Sequence, residues 1–244
     1  LSPIMNDNKF KAVFFDAEFT LFCEKVKRSQ IYLDAAAEYS STDLSIDFVE
    51  AELSRAFSTT QDSINGQVTF SRAWWMSYNA NVLTALDLSP KDAGKASKTV
   101  TAYFSKAAAY MVYPEVVEVL KTLSSAGIQI GIIANWSEDL PVLAKRLKLE
   151  KLLDFIIPSA ELRTEKPNRA IFDRALFRCG VAAESAIHVG ADFERDISGA
   201  LTAGMHALLV DRDKNIECGL HEGVKVINNL YDVLDICELT AHDT

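Results

Sequence analysis

Two spacings of apolar residues alternate along this chain. Mainly apolar runs of strand length occupy residues 11–16, 128–134, 154–157, 186–190 and 206–210, each bounded by polar or glycine-bearing turns. Short runs without alternation predict strands buried on both faces. Between them the apolar positions recur at helical intervals. Residues 114–126 predict a helix with Val116, Val117, Val119, Leu120 and Leu123 inward and Gly127 as its stop. Residues 137–147 predict another, with Glu138 and Asp139 suited to the positive end of its dipole. Further helices are predicted at 167–179, 194–204 and about 230–239, the last covering a sheet edge. Strands alternating with helices after short loops predict an α/β fold on a doubly wound parallel sheet.

From about residue 24 to 112 the pattern is helical, with no convincing strand. Ile31, Leu33, Ala36 and Tyr39 share one helix face, and Asp43 or Ser45 is placed to N-cap the next helix, which carries Phe48, Val49, Leu53 and Phe57. Asn65-Gly66 marks a turn. Thr69 is the predicted N-cap of a helix bearing Trp74, Trp75, Tyr78, Val82 and Leu83, and Ser89-Pro90 starts one running toward Tyr110. About four helices following a single strand predict an inserted α-helical subdomain over residues 23–112. The α/β core is then residues 1–22 with 113–244.

Composition narrows the picture in a few places. With 49% apolar and 24% charged residues among 244, the chain is an ordinary globular one. Its longest apolar runs fall far short of the roughly 20 residues that cross a bilayer, so no membrane is expected as a partner. A net charge of -9 argues against a general nucleic-acid surface. It leaves room for a phosphorylated small molecule, since one Lys or Arg can reverse the field inside a cleft. The cysteines at 23, 179, 218 and 237 form no C-x-x-C pair and read as free thiols of a reducing soluble compartment, cytosol or organelle matrix. Cys23, close to the candidate chemistry, reads as a bystander because no His is near to make a thiolate. The chain begins with Leu1, as a processed, trimmed or tagged protein does, with Met5 as an internal start; the compartment itself is not legible.

The candidate chemistry begins at Lys11-Ala-Val-Phe-Phe-Asp16-Ala-Glu18-Phe-Thr20. An apolar strand ends in an acid, with a second acid two residues on and a Thr two beyond that. Ligands of open α/β sheets bind at such carboxyl ends. Taken alone, an acid there also serves simply to cap a turn. The segment resembles the first motif of the haloacid dehalogenase (HAD) superfamily, strand-Asp-x-Asp-x-Thr, with Glu18 in place of the second Asp. The resemblance runs from residue 11 to about 211, and the helical insert falls where that family carries a helical cap. Residues 70–75 (FSRAWW) and 165–172 (EKPNRAIF) further resemble its small phosphatase-like members.

That resemblance implies roles. Asp16 would be the nucleophile that forms an aspartyl-phosphate, with Mg²⁺ offsetting the charge of the incoming phosphate. Glu18 would be the general acid and base, although its extra methylene moves the carboxyl by over ~1 Å, a displacement that can cost about 10²-fold. Lys166, before Pro167, would orient Asp16 and offset phosphate charge, with Arg163 a weaker second cation. Thr20 and Asn135 would bind substrate. The family's second motif ends in Ser or Thr, but here the strand ends in Ala134; Asn135 stands next as a phosphate donor or a turn former. In the fourth motif, Gly-Asp-x-x-x-x-Asp, Ala191 takes the place of the first acid. Metal ligation would fall to Asp16, Asp196 and Asp192, the last one residue late and equally readable as a plain loop residue. Mg²⁺ demands near-octahedral oxygen geometry, so that slip is not minor. His188 reads as a residue packed at a strand end.

These departures touch proton transfer, phosphate holding and metal binding together. They favour a HAD-like hydrolase homologue that is weak or catalytically inactive and serves as a structural or interaction subunit of a larger assembly, with protein partners. The alternative is a divergent Mg²⁺-dependent phosphomonoester phosphatase. Metal-free dehalogenation by Asp16 is a third possibility, which Phe19 and Ala191 fit poorly. The Trp74-Trp75 pair is read as core packing before substrate wall.

Overall fold

In the computed structural model, which describes residues 9–63, 69–214 and 224–239, six parallel strands form one sheet in the order β5-β4-β1-β6-β7-β8. They are β1 (Ala12–Phe15), β4 (Gln129–Ala134), β5 (Phe155–Pro158), β6 (Ala186–Gly190), β7 (His206–Val210) and β8 (Lys225–Ile227). β1 lies between β4 and β6, with Phe15 opposite both Ile132 and Val189. Its alternating residues therefore serve two cores. Val13 and Phe15 pack under α5 (Val116–Ser125), α6 (Leu140–Arg146) and α10 (Tyr231–Ile236). Ala12 and Phe14 pack on the other face, under α8 (Arg169–Cys179) and α9 (Gly199–Thr202). A short α7 (Ser159–Leu162) follows β5. The sheet is doubly wound, as predicted.

Between β1 and α5 the chain builds a second hydrophobic cluster from α1 (Arg28–Ala37), α2 (Ile46–Ser63), α3 (Arg72–Ala85) and α4 (Pro90–Phe104). Trp74 stacks on Tyr78 at 5.2 Å within it. The insert is entered and left through strands that the sequence did not announce. β2 (Phe22–Glu24) pairs antiparallel with β3 (Tyr110–Val112), Glu24 facing Tyr110. The expectation of no strand in this stretch is thus corrected. Three residues are too few for a period of two to show, and each strand exists only because its partner, far off in sequence, is brought alongside. β8 escaped notice for the same reason.

Other corrections are local. Ser71, not Thr69, N-caps α3 by accepting from Trp74 N–H at 3.2 Å; Ser45 and Ser89 hold the N-terminal turns of α2 and α4. α4 stops at Phe104, well before Tyr110. Val117 on α5 is exposed, as are Tyr39 and Phe48 in the insert. In α1 the buried stripe turns instead to Tyr32, whose hydroxyl donates to Asn79 at 2.5 Å and so makes a polar residue suitable for the interior. The helix predicted at 194–204 opens as a wider π-type turn, Phe193–Ser198, N-capped by Asp192. Asn65-Gly66, Met5 and Cys218 lie outside the described residues; Cys23, Cys179 and Cys237 are free thiols. Among the described residues no helix is long and apolar enough to cross a membrane.

Candidate active site

The carboxyl ends of β1, β4 and β6 open on one cleft. Asp16 follows Phe15 directly and donates its N–H to Val189 O at 2.8 Å, so the ladder fixes where its side chain leaves the sheet. The chain then turns back sharply. Leu21 N–H donates to Ala17 O at 2.9 Å and Phe19 N–H to Phe22 O at 2.7 Å. That turn puts Phe19 at φ 62°, a left-handed conformation costing a bulky residue roughly 1–2 kcal/mol, and leaves its ring exposed at the rim of the cleft. Arg212 braces the turn from the far end of the chain, donating to Phe19 O, Thr20 O and Glu115 Oε1. No local signal in the sequence marks Arg212 for this task. Thr20 is fully buried and its hydroxyl has no hydrogen-bond partner; it lies beneath the turn, outside the cleft lining.

Four predicted residues from four segments meet below the cleft. The Lys166 ammonium lies 2.5 Å from Asp16 Oδ1 and 2.5 Å from Asp196 Oδ1, and the Lys166 side chain is only 2% exposed. Asn135 holds the base of that lysine by two bonds, accepting from Lys166 N–H at 2.8 Å and donating to Lys166 O at 3.0 Å. Asp196 also meets His188 Nε2 at 3.0 Å and accepts from Asp192 N–H at 3.0 Å through its other oxygen. His188, in mid-strand, is fully buried against Phe172. Gly190 makes this closeness possible: a Cβ there would fall 2.2 Å from Asp196 Cγ. Asp192 lines the cavity above, accepting from Arg195 N–H at 2.8 Å with its side chain 45% exposed.

The electrostatics follow from burial first and partners second. Burial raises Asp16 to about 6, against the pull of Lys166 and with a push from Asp196. Burial works against the charge of Asp196 as well, but Lys166 and His188 outweigh it and hold that carboxyl well below the usual range. Lys166 is raised because its two carboxylates overcome its own desolvation. His188 is lowered by burial and stays neutral. The pair's negative charge therefore settles on Asp196, and Asp16 is the member that takes a proton first.

Above this floor lies a cavity of about 980 Å³ between the sheet and the helical insert. Glu18 points along its wall toward the insert, 3.6 Å from an Arg28 nitrogen, while Arg28 also pairs with Glu24. The Arg28 guanidinium lies over Phe104 at 4.7 Å and near Trp75 at 5.4 Å. Burial raises Glu18 to about 8, with Arg28 opposing and Glu24 adding to the rise. Arg28 was missed by the sequence reading, since a lone Arg at a helix start is usually a surface residue. The tryptophan pair divides: Trp74 belongs to the insert's core and Trp75 lines the cavity. Arg163 takes no part in the floor; it ends α7 in a left-handed turn.

The chain has known relatives. A family model described as haloacid dehalogenase-like hydrolase matches residues 45–210, more than half of the chain. The chain belongs to the haloacid dehalogenase-like hydrolases. Among HAD proteins it is 28% identical over 141 residues to haloacid dehalogenase-like hydrolase domain-containing protein 3 of Xenopus laevis, a match spanning 57% of this chain and 58% of that one. It is also 28% identical over 217 residues to a glyceraldehyde 3-phosphate phosphatase of Methanopyrus kandleri, covering 84% of this chain and 85% of the relative. In fold it is similar to the magnesium-bound HAD-hydrolase YfnB of Bacillus subtilis, with TM-score 0.73 and 14% identity over 94% of this chain and 99% of that one.

The magnesium that HAD phosphatases use does not fit the donors present here. Mg²⁺ needs several oxygens at close to octahedral positions. Ala191 offers none from its side chain. Both Asp196 oxygens already accept from neighbours, and Asp16 Oδ1 is bonded to Lys166. Asp192 spends an oxygen on the turn it N-caps. Among the described residues no three His, Cys, Asp or Glu side chains gather as a metal site requires.

Proposed function

We propose that this chain is a HAD-like hydrolase homologue with weak or absent turnover, whose cleft, roofed by the helical insert as a cap, binds a phosphorylated small molecule. One observation carries the reading: the single ammonium of Lys166 is shared between Asp16 and Asp196. Attack by Asp16 on a phosphoryl group brings anion to anion, and transition-state charge must be met by positive groups already in place. Here the one floor cation is bound to two carboxylates. Retention of the fold and of an open cleft with little turnover suits a protein kept for binding, and an interaction role in a larger assembly belongs to the same reading.

A second reading, a divergent phosphomonoester phosphatase with Asp16 as nucleophile, draws support from Glu18. A carboxyl still protonated near neutral pH is in the state a general acid needs, and relatives bear phosphatase names. Assay of the purified chain on a panel of phosphomonoesters, with and without Mg²⁺ and beside Asp16→Asn, separates the two. The expected result is hydrolysis at the level of buffer in both proteins. Turnover that disappears in Asp16→Asn would establish the phosphatase instead.

A further inference from the structure

We infer, on the proposed reading of the cleft, that it works without any divalent cation and that the Lys166 ammonium is its permanent internal charge. Two departures that look unrelated in sequence, at Ala134-Asn135 and at Ala191, bear on the surroundings of that one group. Asn135, next to the position where a phosphate-holding hydroxyl is lost, clamps the Lys166 backbone through both its amide oxygen and its amide nitrogen. The base of the lysine is thereby fixed, and its side chain is enclosed almost completely. Ala191 removes the acid that would compete for a position beside Asp16. Asp196 is held by Lys166, His188 and the Asp192 N–H.

A divalent ion entering here would meet an ammonium already bonded to both of the carboxylates it needs. Like charges between the same two acids repel strongly in a buried space. Moving the ammonium aside would break its bonds to Asp16 and Asp196 and strand its charge away from water. Asp192 lines the same cavity, but its Oδ1 accepts from the Arg195 N–H and its Oδ2 lies 3.7 Å from the Arg195 guanidinium.

The test is direct binding of Mn²⁺, a paramagnetic stand-in for Mg²⁺, to the purified full chain, followed by the electron paramagnetic resonance signal of free Mn²⁺. Wild type is expected to leave that signal at its protein-free value, and Lys166→Met combined with Ala191→Asp to lower it, by clearing the ammonium from Asp16 and Asp196 and adding an acid to the cleft. Any wild-type binding that survives Asp16→Asn lies on the acidic surface and leaves the cleft metal-free. Wild-type binding abolished by Asp16→Asn would overturn the inference, as would a Lys166→Met, Ala191→Asp double variant, folded by circular dichroism, that binds no more Mn²⁺ than wild type. Failure here is separable from failure of the proposed function. Mg²⁺-independent turnover that requires Asp16 would sink the weak-turnover reading and leave the metal-free cleft standing. Mn²⁺ bound at Asp16 without turnover would do the reverse.

Discussion

Replacing Lys166 with Met removes the ammonium between Asp16 and Asp196 and leaves two carboxylates where neither is well solvated. Breaking a buried pair from one side costs about 3–5 kcal/mol, so the unfolding free energy of Lys166→Met, measured by urea titration, should fall by a matching amount at neutral pH. The loss should shrink in acid, where Asp16 takes up a proton. Glu18 makes a pH-dependent contribution of its own. Its carboxyl is raised from an ordinary 4.5 to about 8 by burial, with Arg28, Glu24, Asp16 and Tyr110 facing it. A raised carboxyl binds its proton more tightly in the folded state. Its stabilisation is therefore full below pH 4.5 and is lost as pH rises through about 8. In Glu18→Gln that decline disappears, a difference of up to about 1.4 kcal/mol per pH unit across the window. Denaturation midpoints measured from pH 4 to 9 check it; parallel curves for the two proteins would refute it. The sequence made Asp16, Lys166 and Asp196 legible as a set because motif spacing survives in them. It left Arg28 and Arg212 unmarked, because what makes each important is a partner distant in sequence or a face supplied by another helix.

At the scale of elements, the glycines show how closely strands and turns are fitted. Gly190 ends β6 against the Asp196 carboxyl, and Gly190→Ala should drive that carboxyl from its partners, costing about 1–3 kcal/mol as overpacking does. Gly94 sits on the exposed face of α4 with nothing near its missing Cβ. Gly94→Ala should therefore stabilise by roughly 0.8–1 kcal/mol through helix propensity alone. Thermal unfolding of the two variants side by side gives opposite signs if the packing around Gly190 is as described. Long elements were readable from sequence: β6 and β7 matched to the residue, and the helices around them were found with ends off by up to about three residues, the one at 194–204 opening as a π-type turn. Ser89 and Pro90 marked the start of α4 because N-capping is local chemistry. The β2–β3 ribbon and β8 were not readable, since a three-residue strand is defined by its neighbour.

Over the whole molecule, the helical insert is tied to the sheet by a few polar contacts. Arg72, at the start of α3, bonds Asp139 through two nitrogens at 2.5 and 3.0 Å, and its N–H donates to Glu138 at 3.1 Å. The pair is largely exposed, and exposed ion pairs add little to global stability. Arg72→Ala should leave the melting temperature unchanged. It should nevertheless speed hydrogen exchange in the first turn of α3 and in the segment around Glu138, where the insert closes on the cleft. Slow exchange unchanged in both places would show that the closure does not depend on this clasp.

Apolar periodicity and motif spacing, both local properties, were enough to determine the α/β core, the helical insert and the acids gathered at the strand ends. Only the tertiary structure decided what those acids do to one another. A pKa, a metal site and a cation's availability depend on distances of a few ångströms between segments far apart in sequence. In this chain those distances tie Lys166 to Asp16 and Asp196, engage Asp192 with Arg195 and give Glu18 to Arg28.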